Sequence, residues 1–298
     1  MTWGFGKVIL LGEHAVVYDH PAVAGALSLG VRCSVEARGK PTTRLAVAAW
    51  DVDVSTEDDN QVARALRALT DQLGTGVWMS ADVTVPPAAG LGSSAALAVA
   101  VTRCLAQEFD RAVTDADVAR IANEAERCFH GTPSGIDVAL ASTGGLGVFR
   151  RSTGLRPIAA APVSIAIGLS GQPKRTGDMV GRVATQVAEN PTATNETLAE
   201  LGALADAGVD ALESADQAAL GELMNRAHAG LSTLDLSTDV LDRMVDVAKA
   251  SGALGAKLTG GGGGGAVIAL APGNEQSIID AWRDCGWQGF HCAVGVTE

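Results

Sequence analysis

Between Pro86 and Leu97 the chain reads P-P-A-A-G-L-G-S-S-A-A-L, a glycine-bearing turn that runs straight into an apolar, helix-forming stretch. Gly90 and Gly92 let the backbone bend and approach a ligand closely, while Ser93 or Ser94 can cap the helix that follows. The unpaired amides of a first helical turn, added to the helix dipole, favour an anion. A serine hydroxyl beside them can reach a phosphate-bound Mg²⁺. The stretch therefore predicts a phosphate seat, although an ordinary loop-to-helix cap fits the same residues.

Other candidate groups lie far away along the chain. Lys7 sits in the apolar run F-G-K-V-I-L-L, where a lysine must either reach water or meet an anion. That run ends at Gly12-Glu13-His14, polar groups at a strand junction that either decorate a turn or contact a ligand. Further on, E-R-C-F-H-G-T-P-S-G-I-D breaks one helix and starts another, because Pro133 cannot continue the first. Gly131 and Gly135 permit a sharp turn there, and Ser134 is a candidate cap for the new segment. This arrangement puts Glu126 near the end of one helix and Asp137 in the first turn of the next. Lys174, Arg175 and Thr176 precede a further helix, and six consecutive glycines run from Gly260 to Gly265. Because the glycine run abuts the strand-like Val267 to Leu270 and not a polar linker, it predicts a loop pressed against a ligand or another backbone.

These groups need a scaffold, and hydrophobic spacing supplies its outline. Residues 5–11 read as a buried strand, 23–29 as a helical turn, 31–37 as a strand, and 45–54 as strand-like segments around Trp50. Helical spacing marks 60–73, with a strand over 77–85 feeding the phosphate seat. Helices follow over 94–109 and from Thr114 toward Cys128, and 146–149 closes this half. The loop 150–162, with basic residues and two prolines, is the candidate boundary between parts 1–160 and 161–298. In the second part a strand at 163–169 leads to helices over 178–188, 196–214 and 220–228, and 241–251 carries an amphipathic pattern. Two strands about the glycine loop, a helix over 275–285 and a strand over 290–296 complete a split β-α-β sandwich.

Composition narrows the class of function. A length of 298 residues makes two domains the natural expectation. A formal net charge of −12 argues against non-specific DNA or RNA binding, which requires a basic surface. The acidic balance still allows a nucleotide, since a few amides, one lysine and Mg²⁺ reverse the field locally. Aromatic residues make up only 4% while glycines number 36, so small side chains must do much of the packing. Cys33, Cys104, Cys128, Cys285 and Cys292 are odd in number and lack a C-x-x-C pairing, which predicts reduced thiols and a cytoplasmic location. No window approaches the ~20 apolar residues of a membrane span, so no membrane partner is expected.

Taken together, the stretches near residues 7, 90 and 260 resemble the three motifs of the GHMP kinases, the galacto-, homoserine, mevalonate and phosphomevalonate kinases. Within that superfamily, G-K-V-I-L-L-G-E-H-A-V-V-Y and E-R-C-F-H-G-T-P-S-G-I-D look most like the mevalonate kinases. The resemblance implies an α+β fold with a ribosomal S5 domain 2-like N-terminal lobe and a ferredoxin-like C-terminal lobe. It implies an ATP- and Mg²⁺-dependent kinase making 5-phosphomevalonate, a small-molecule acceptor, and a possible homodimer. Pro87, Ala88, Ala89, Gly90, Leu91, Gly92, Ser93 and Ser94 would hold the ATP phosphates, and Ser94 with Glu126 the Mg²⁺. Asp137 would sit beside the attacking hydroxyl with Lys7 close to it. Lys7, Glu13, His14, Thr176, Gly261 and Gly262 would face mevalonate. The same fold with another acceptor, phosphomevalonate or a sugar, is the competing enzyme reading, and a ligand sensor without turnover is the non-catalytic one. Residues 38–60, where an adenine-binding segment is expected, carry no assignable motif.

Overall fold

The computed structural model describes residues 1–87, 89–130, 134–173 and 176–297. Two compact units form, and neither is a continuous piece of chain. The first gathers Met1–Lys7, Leu29–Pro87 and Gly92–Gly144, the second Val8–Ser28, Ala88–Leu91 and Gly145–Glu298. Two long strands pass from one unit into the other: β1 (Thr2–Leu11) and β2 (Ala22–Ala37).

In the first unit the later half of β2 pairs antiparallel with β5 (Trp78–Val83), from Val31 opposite Val83 to Ala37 opposite Trp78. A hairpin of β3 (Arg44–Val47) and β4 (Val52–Ser55) turns through Ala48–Trp50, and β3 lies parallel to β5. Four helices cover this sheet. Helix α1 (Gln61–Leu73) starts at Asn60, whose side chain accepts the Ala63 N–H at 2.9 Å, a standard N-cap. Helix α2 (Ser93–Glu108) is rich in alanine and valine, so it can be buried on most of its surface. Helices α3 (Asp115–His130) and α4 (Ile136–Thr143) pack against it. Arg103 of α2 ties these pieces together. It donates to the Trp3 carbonyl at 2.8 Å and the Ser142 carbonyl at 2.6 Å, and it pairs with Asp115 at 2.7 Å.

In the second unit the first half of β2 pairs with β6 (Leu146–Arg150), which continues into β7 (Gly154–Ile158) as a hairpin. The core sheet then uses β8 (Val163–Leu169), β9 (Gly255–Thr259), β10 (Ala266–Leu270) and β11 (Gln288–Val294). Their spatial order is β11-β8-β10-β9 with every neighbour antiparallel. That order is the split β-α-β arrangement expected of a ferredoxin-like lobe. Helices α5 (Thr176–Glu189), α6 (Pro191–Glu213), α7 (Gln217–Thr233) and α8 (Asp239–Ala250) lie between β8 and β9, and α9 (Glu275–Asp284) precedes β11. Trp282 of α9 is fully buried, with its indole N–H donated to the Met244 carbonyl at 2.9 Å. This satisfies the one polar atom of the largest side chain in the core.

Three local expectations are corrected. Residues 23–29 form no helical turn but belong to β2, where Ala22 through Leu27 are buried throughout. A strand buried on both faces loses the alternation that distinguishes it from a helix. The 150–162 segment, read as a boundary loop, contains β7 paired to β6. Neither Ser93 nor Ser94 caps α2, and Ser134 does not cap α4. Gly92 and Gly135 hold those positions with left-handed backbones and no side-chain cap bond.

No disulfide joins the cysteines, and among the described residues no helix is long and apolar enough to cross a membrane.

Replacing Arg103 with methionine strands two mostly buried carbonyls. We expect a loss of about 2–4 kcal/mol in urea unfolding. Arg283→Met, which removes an exposed i,i+3 pair to Asp280, should cost less than ~0.5 kcal/mol.

Candidate active site

Within the first unit, the β1 register turns Lys7 inward, leaving it 3% exposed. Its ammonium meets Asp137 Oδ1 at 3.0 Å. Asp137 is in the first turn of α4, where the helix dipole also favours a carboxylate, and its side chain stays 34% exposed. A buried ammonium beside a carboxylate that is one-third exposed places a cation and an acid side by side within reach of solvent. Gly92 makes the approach possible. A Cβ there would lie 2.8 Å from Lys7 Cγ, and its φ of 73° suits glycine.

Directly after Gly92, α2 begins. Its first internal bond runs from the Ala96 N–H to the Gly92 carbonyl at 2.9 Å, so the amides before Ala96 point out of the helix start. Ser94, released from any capping duty, donates to Glu126 Oε2 of α3 at 3.2 Å. Glu126 is 1% exposed. A hydroxyl and a carboxylate side by side are hard oxygen donors, the type Mg²⁺ takes. Among the described residues no group of three or more His, Cys, Asp or Glu could hold a metal. Two such donors suit an ion that keeps waters and phosphate oxygens as its other ligands, as Mg²⁺ does with nucleotides.

A cavity of about 170 Å³ opens beside the serines, walled by Leu45, Trp50, Leu66, Leu69 and Leu97 with Ser93 and Ser94 at its edge. Its lining is almost wholly apolar apart from one group: the Trp50 indole N–H is buried without an acceptor. No motif marks this site, since its walls come from β3, the following turn, α1 and α2. Beyond the expectation of an adenine-binding segment over 38–60, only the alternating strand pattern around Trp50 points to it.

Within the second unit, His14 adopts φ 59° and ψ −43°, the strained geometry of a γ-turn with positive φ, which the Ala15 N–H closes by donating to the Glu13 carbonyl at 2.6 Å. Its Nε2–H donates to the Gly261 carbonyl at 2.9 Å. Burial holds its pKa below the ordinary 6.5, opposed by that carbonyl. Neutral His14 with Nε2 protonated leaves Nδ1 as an acceptor. Gly261 packs against Thr176, since a Cβ there would lie 2.6 Å from Thr176 Oγ1, and that hydroxyl is buried without a partner. Gly262, at φ 74°, runs equally close to the Leu236 carbonyl. In the same unit, Gly90 brings its carbonyl to 3.9 Å from the position a Gly260 Cβ would take. Ala89 and Leu91 beside it are buried.

Of the residues expected to act, Lys7 and Asp137 thus meet directly, as do Ser94 and Glu126, and His14, Gly261 and Thr176 form a third contact group. Pro87 lines the apolar cavity. Ala88 lies outside the described residues, as do 131–133 and the basic pair Lys174 and Arg175. One residue was missed: Lys257 of β9, fully buried and ion-paired with Glu13. Like Lys7, it is a lysine inside an apolar strand, here A-K-L at 256–258.

Comparison with known proteins follows the same lines. The family profile described as "GHMP kinases N terminal domain" matches residues 60–145, and "GHMP kinases C terminal" matches 209–286. The mevalonate kinase of Pyrococcus abyssi is 31% identical, covering 94% of this chain and 91% of its own length. That of Aeropyrum pernix is 32% identical over 89% of this chain and 86% of its own. The crystal structure of L. major mevalonate kinase in complex with R-mevalonate superposes with a TM-score of 0.90 at 28% identity, covering 99% of this chain and 95% of that one. Lactococcus lactis galactokinase complexed with galactose shares the fold, with a TM-score of 0.79 at 18% identity over 100% of this chain and 93% of that one.

The depressed His14 pKa has a sign that can be checked. Between its folded pKa and 6.5 the unfolded chain binds more protons, so stability rises with pH through that window and is lost as pH falls. The slope from one group cannot exceed about 1.4 kcal/mol per pH unit. His14→Asn, which removes the titrating ring and keeps a polar side chain, should lose less stability than wild type between pH 7.5 and 5.5 in denaturant titrations. A residual slope is expected in the variant from His228, whose pKa burial also lowers.

Proposed function

The chain belongs to the mevalonate kinases of the GHMP kinase family, and from that membership we propose how its residues move the terminal phosphate of ATP onto the 5-hydroxyl of mevalonate, giving 5-phosphomevalonate and ADP. The observation that carries the reading is the Lys7–Asp137 contact at 3.0 Å, with the lysine desolvated and the carboxylate half open.

Phosphoryl transfer asks for alignment and dispersal of charge more than for covalent help. The amides at the start of α2, with the turn at Pro87, Ala89, Gly90, Leu91 and Gly92, cradle the phosphates, and Ser93 and Ser94 flank them. Ser94 and Glu126 would hold Mg²⁺, which would supply neutralisation of phosphate charge. The apolar cavity takes the nucleotide base, and the Trp50 N–H donates to an acceptor atom on the base edge. That hydrogen bond answers an otherwise unsatisfied buried donor.

On the acceptor side, Glu13, the Nδ1 of His14, Thr176 and the backbone at Gly261 and Gly262 bind mevalonate. The 5-oxygen forms its bond to the γ-phosphorus as the bond to the β,γ-bridging oxygen breaks, and its proton passes to Asp137. A carboxylate is a weak base against an alcohol, so the proton leaves late. Lys7 faces the oxygen on which negative charge develops and stabilises it electrostatically.

Two substitutions separate these roles. Asp137→Asn should lower kcat by at least ~10²-fold with ATP binding nearly unchanged, the loss expected for a general base; near-normal turnover removes Asp137 from that role. Trp50→Phe keeps the ring and deletes the donor. It should raise KM for ATP several-fold and leave KM for mevalonate in place, and an unchanged KM for ATP would take the base out of this cavity.

A further inference from the structure

Glu13 and Lys257 form an ion pair with 1% and 0% side-chain exposure, and the transfer step itself uses no part of Lys257. Beyond Glu13 Oε1, the Lys257 ammonium donates to the Leu258 carbonyl at 2.7 Å. Glu13 Oε2 is different: it is buried and accepts no hydrogen bond. A pair kept only to hold β9 against the 12–14 turn has no reason to leave a charged oxygen empty. Such an orphan costs stability, and an apolar pair of similar volume would serve as well or better.

Next to Glu13, the chain is committed to a ligand-like geometry. His14 holds a strained backbone and is bonded to Gly261, against which the second orphan, Thr176 Oγ1, is packed. We propose that Lys257 is a positioning residue for the acceptor. It clamps one oxygen of Glu13 so that the other is presented, dry and fixed, to the hydroxyl of the substrate that does not react. This rests on the assignment of Glu13 to the mevalonate side. Charge selects the group that Glu13 meets: a carboxylate repels the carboxylate of a hydroxy acid and accepts a hydrogen bond from its alcohol. Since the 5-hydroxyl is the one consumed, the 3-hydroxyl is the donor to Glu13 Oε2. Lys257 thereby selects for an acceptor carrying a second hydroxyl, which a simple primary alcohol lacks.

The test combines Lys257→Met, Glu13→Gln, their double variant and the 3-deoxy analogue of mevalonate, with thermal unfolding followed alongside. With mevalonate, Lys257→Met should raise KM at least ~10-fold, the scale of one lost charged hydrogen bond, and leave KM for ATP within about 2-fold. With the 3-deoxy analogue that penalty should vanish, because the hydroxyl that reads Glu13 is gone. The double variant should be no worse than Glu13→Gln alone, since the two residues act as one unit. If Lys257→Met does not fold, the double variant, which buries no lone charge, is compared with Glu13→Gln instead. The inference is overturned by a penalty that persists with the deoxy analogue, by losses that multiply in the double variant, or by a lowered unfolding temperature with KM for mevalonate unmoved. Absence of any wild-type turnover with mevalonate overturns the functional reading and this inference together, whereas normal wild-type turnover with an unmoved KM in the variants overturns this inference alone.

Discussion

An ammonium group taken out of water must find an anion, and that requirement organises this molecule twice. Lys7 lies in the interior of β1 and Lys257 in the interior of β9, both almost without exposure, and each is met by a carboxylate. The idealised cost of burying such a charge is far larger than the net stability of a folded protein, so each carboxylate is obligatory once the lysine is inside. Neither pair is an economical way to hold a fold together. In both, the carboxylate keeps something in reserve: Asp137 a solvent-facing side, Glu13 an oxygen with no partner.

The same reserve shows in the hydroxyls. A helix start rich in serine is ordinarily stabilised by a serine cap, worth about 1 kcal/mol. At α2 that role falls to Gly92, and the Ser94 hydroxyl is bonded to Glu126. At α4 Gly135 stands in the corresponding place. Local helix stability is thus given up where polar groups are wanted for another purpose. The protein makes up the difference elsewhere with apolar helices and a closely packed sheet, and with tethers such as Arg103.

Much of this was legible in the sequence, for physical reasons that differ from residue to residue. Lys7 stood out because it contradicts its surroundings, and the glycine-serine stretch because its pattern has few other uses. Glu126 and Asp137 were found through the helix break between them, and the helices of both units through their spacing. Apart from Lys257, what escaped notice had no local signature. The first half of β2 reads as a helical turn because burial on both faces erases alternation. The apolar cavity is assembled from side chains tens of residues apart, each of them an ordinary core residue in sequence. Lys257 was hidden by its neighbour, since six glycines draw attention from the residue three places before them.

Gly92 leaves a last consequence for anyone who mutates this loop. The space a methyl group would occupy there is already filled by the aliphatic stem of Lys7. An alanine at 92 therefore pushes on the lysine as well as on the turn, and the resulting variant would present itself as a nucleotide-handling defect while the injury lay at the Lys7–Asp137 pair. Glycine-loop variants of this protein are poor diagnostics of nucleotide contact unless the ammonium is shown to have stayed put.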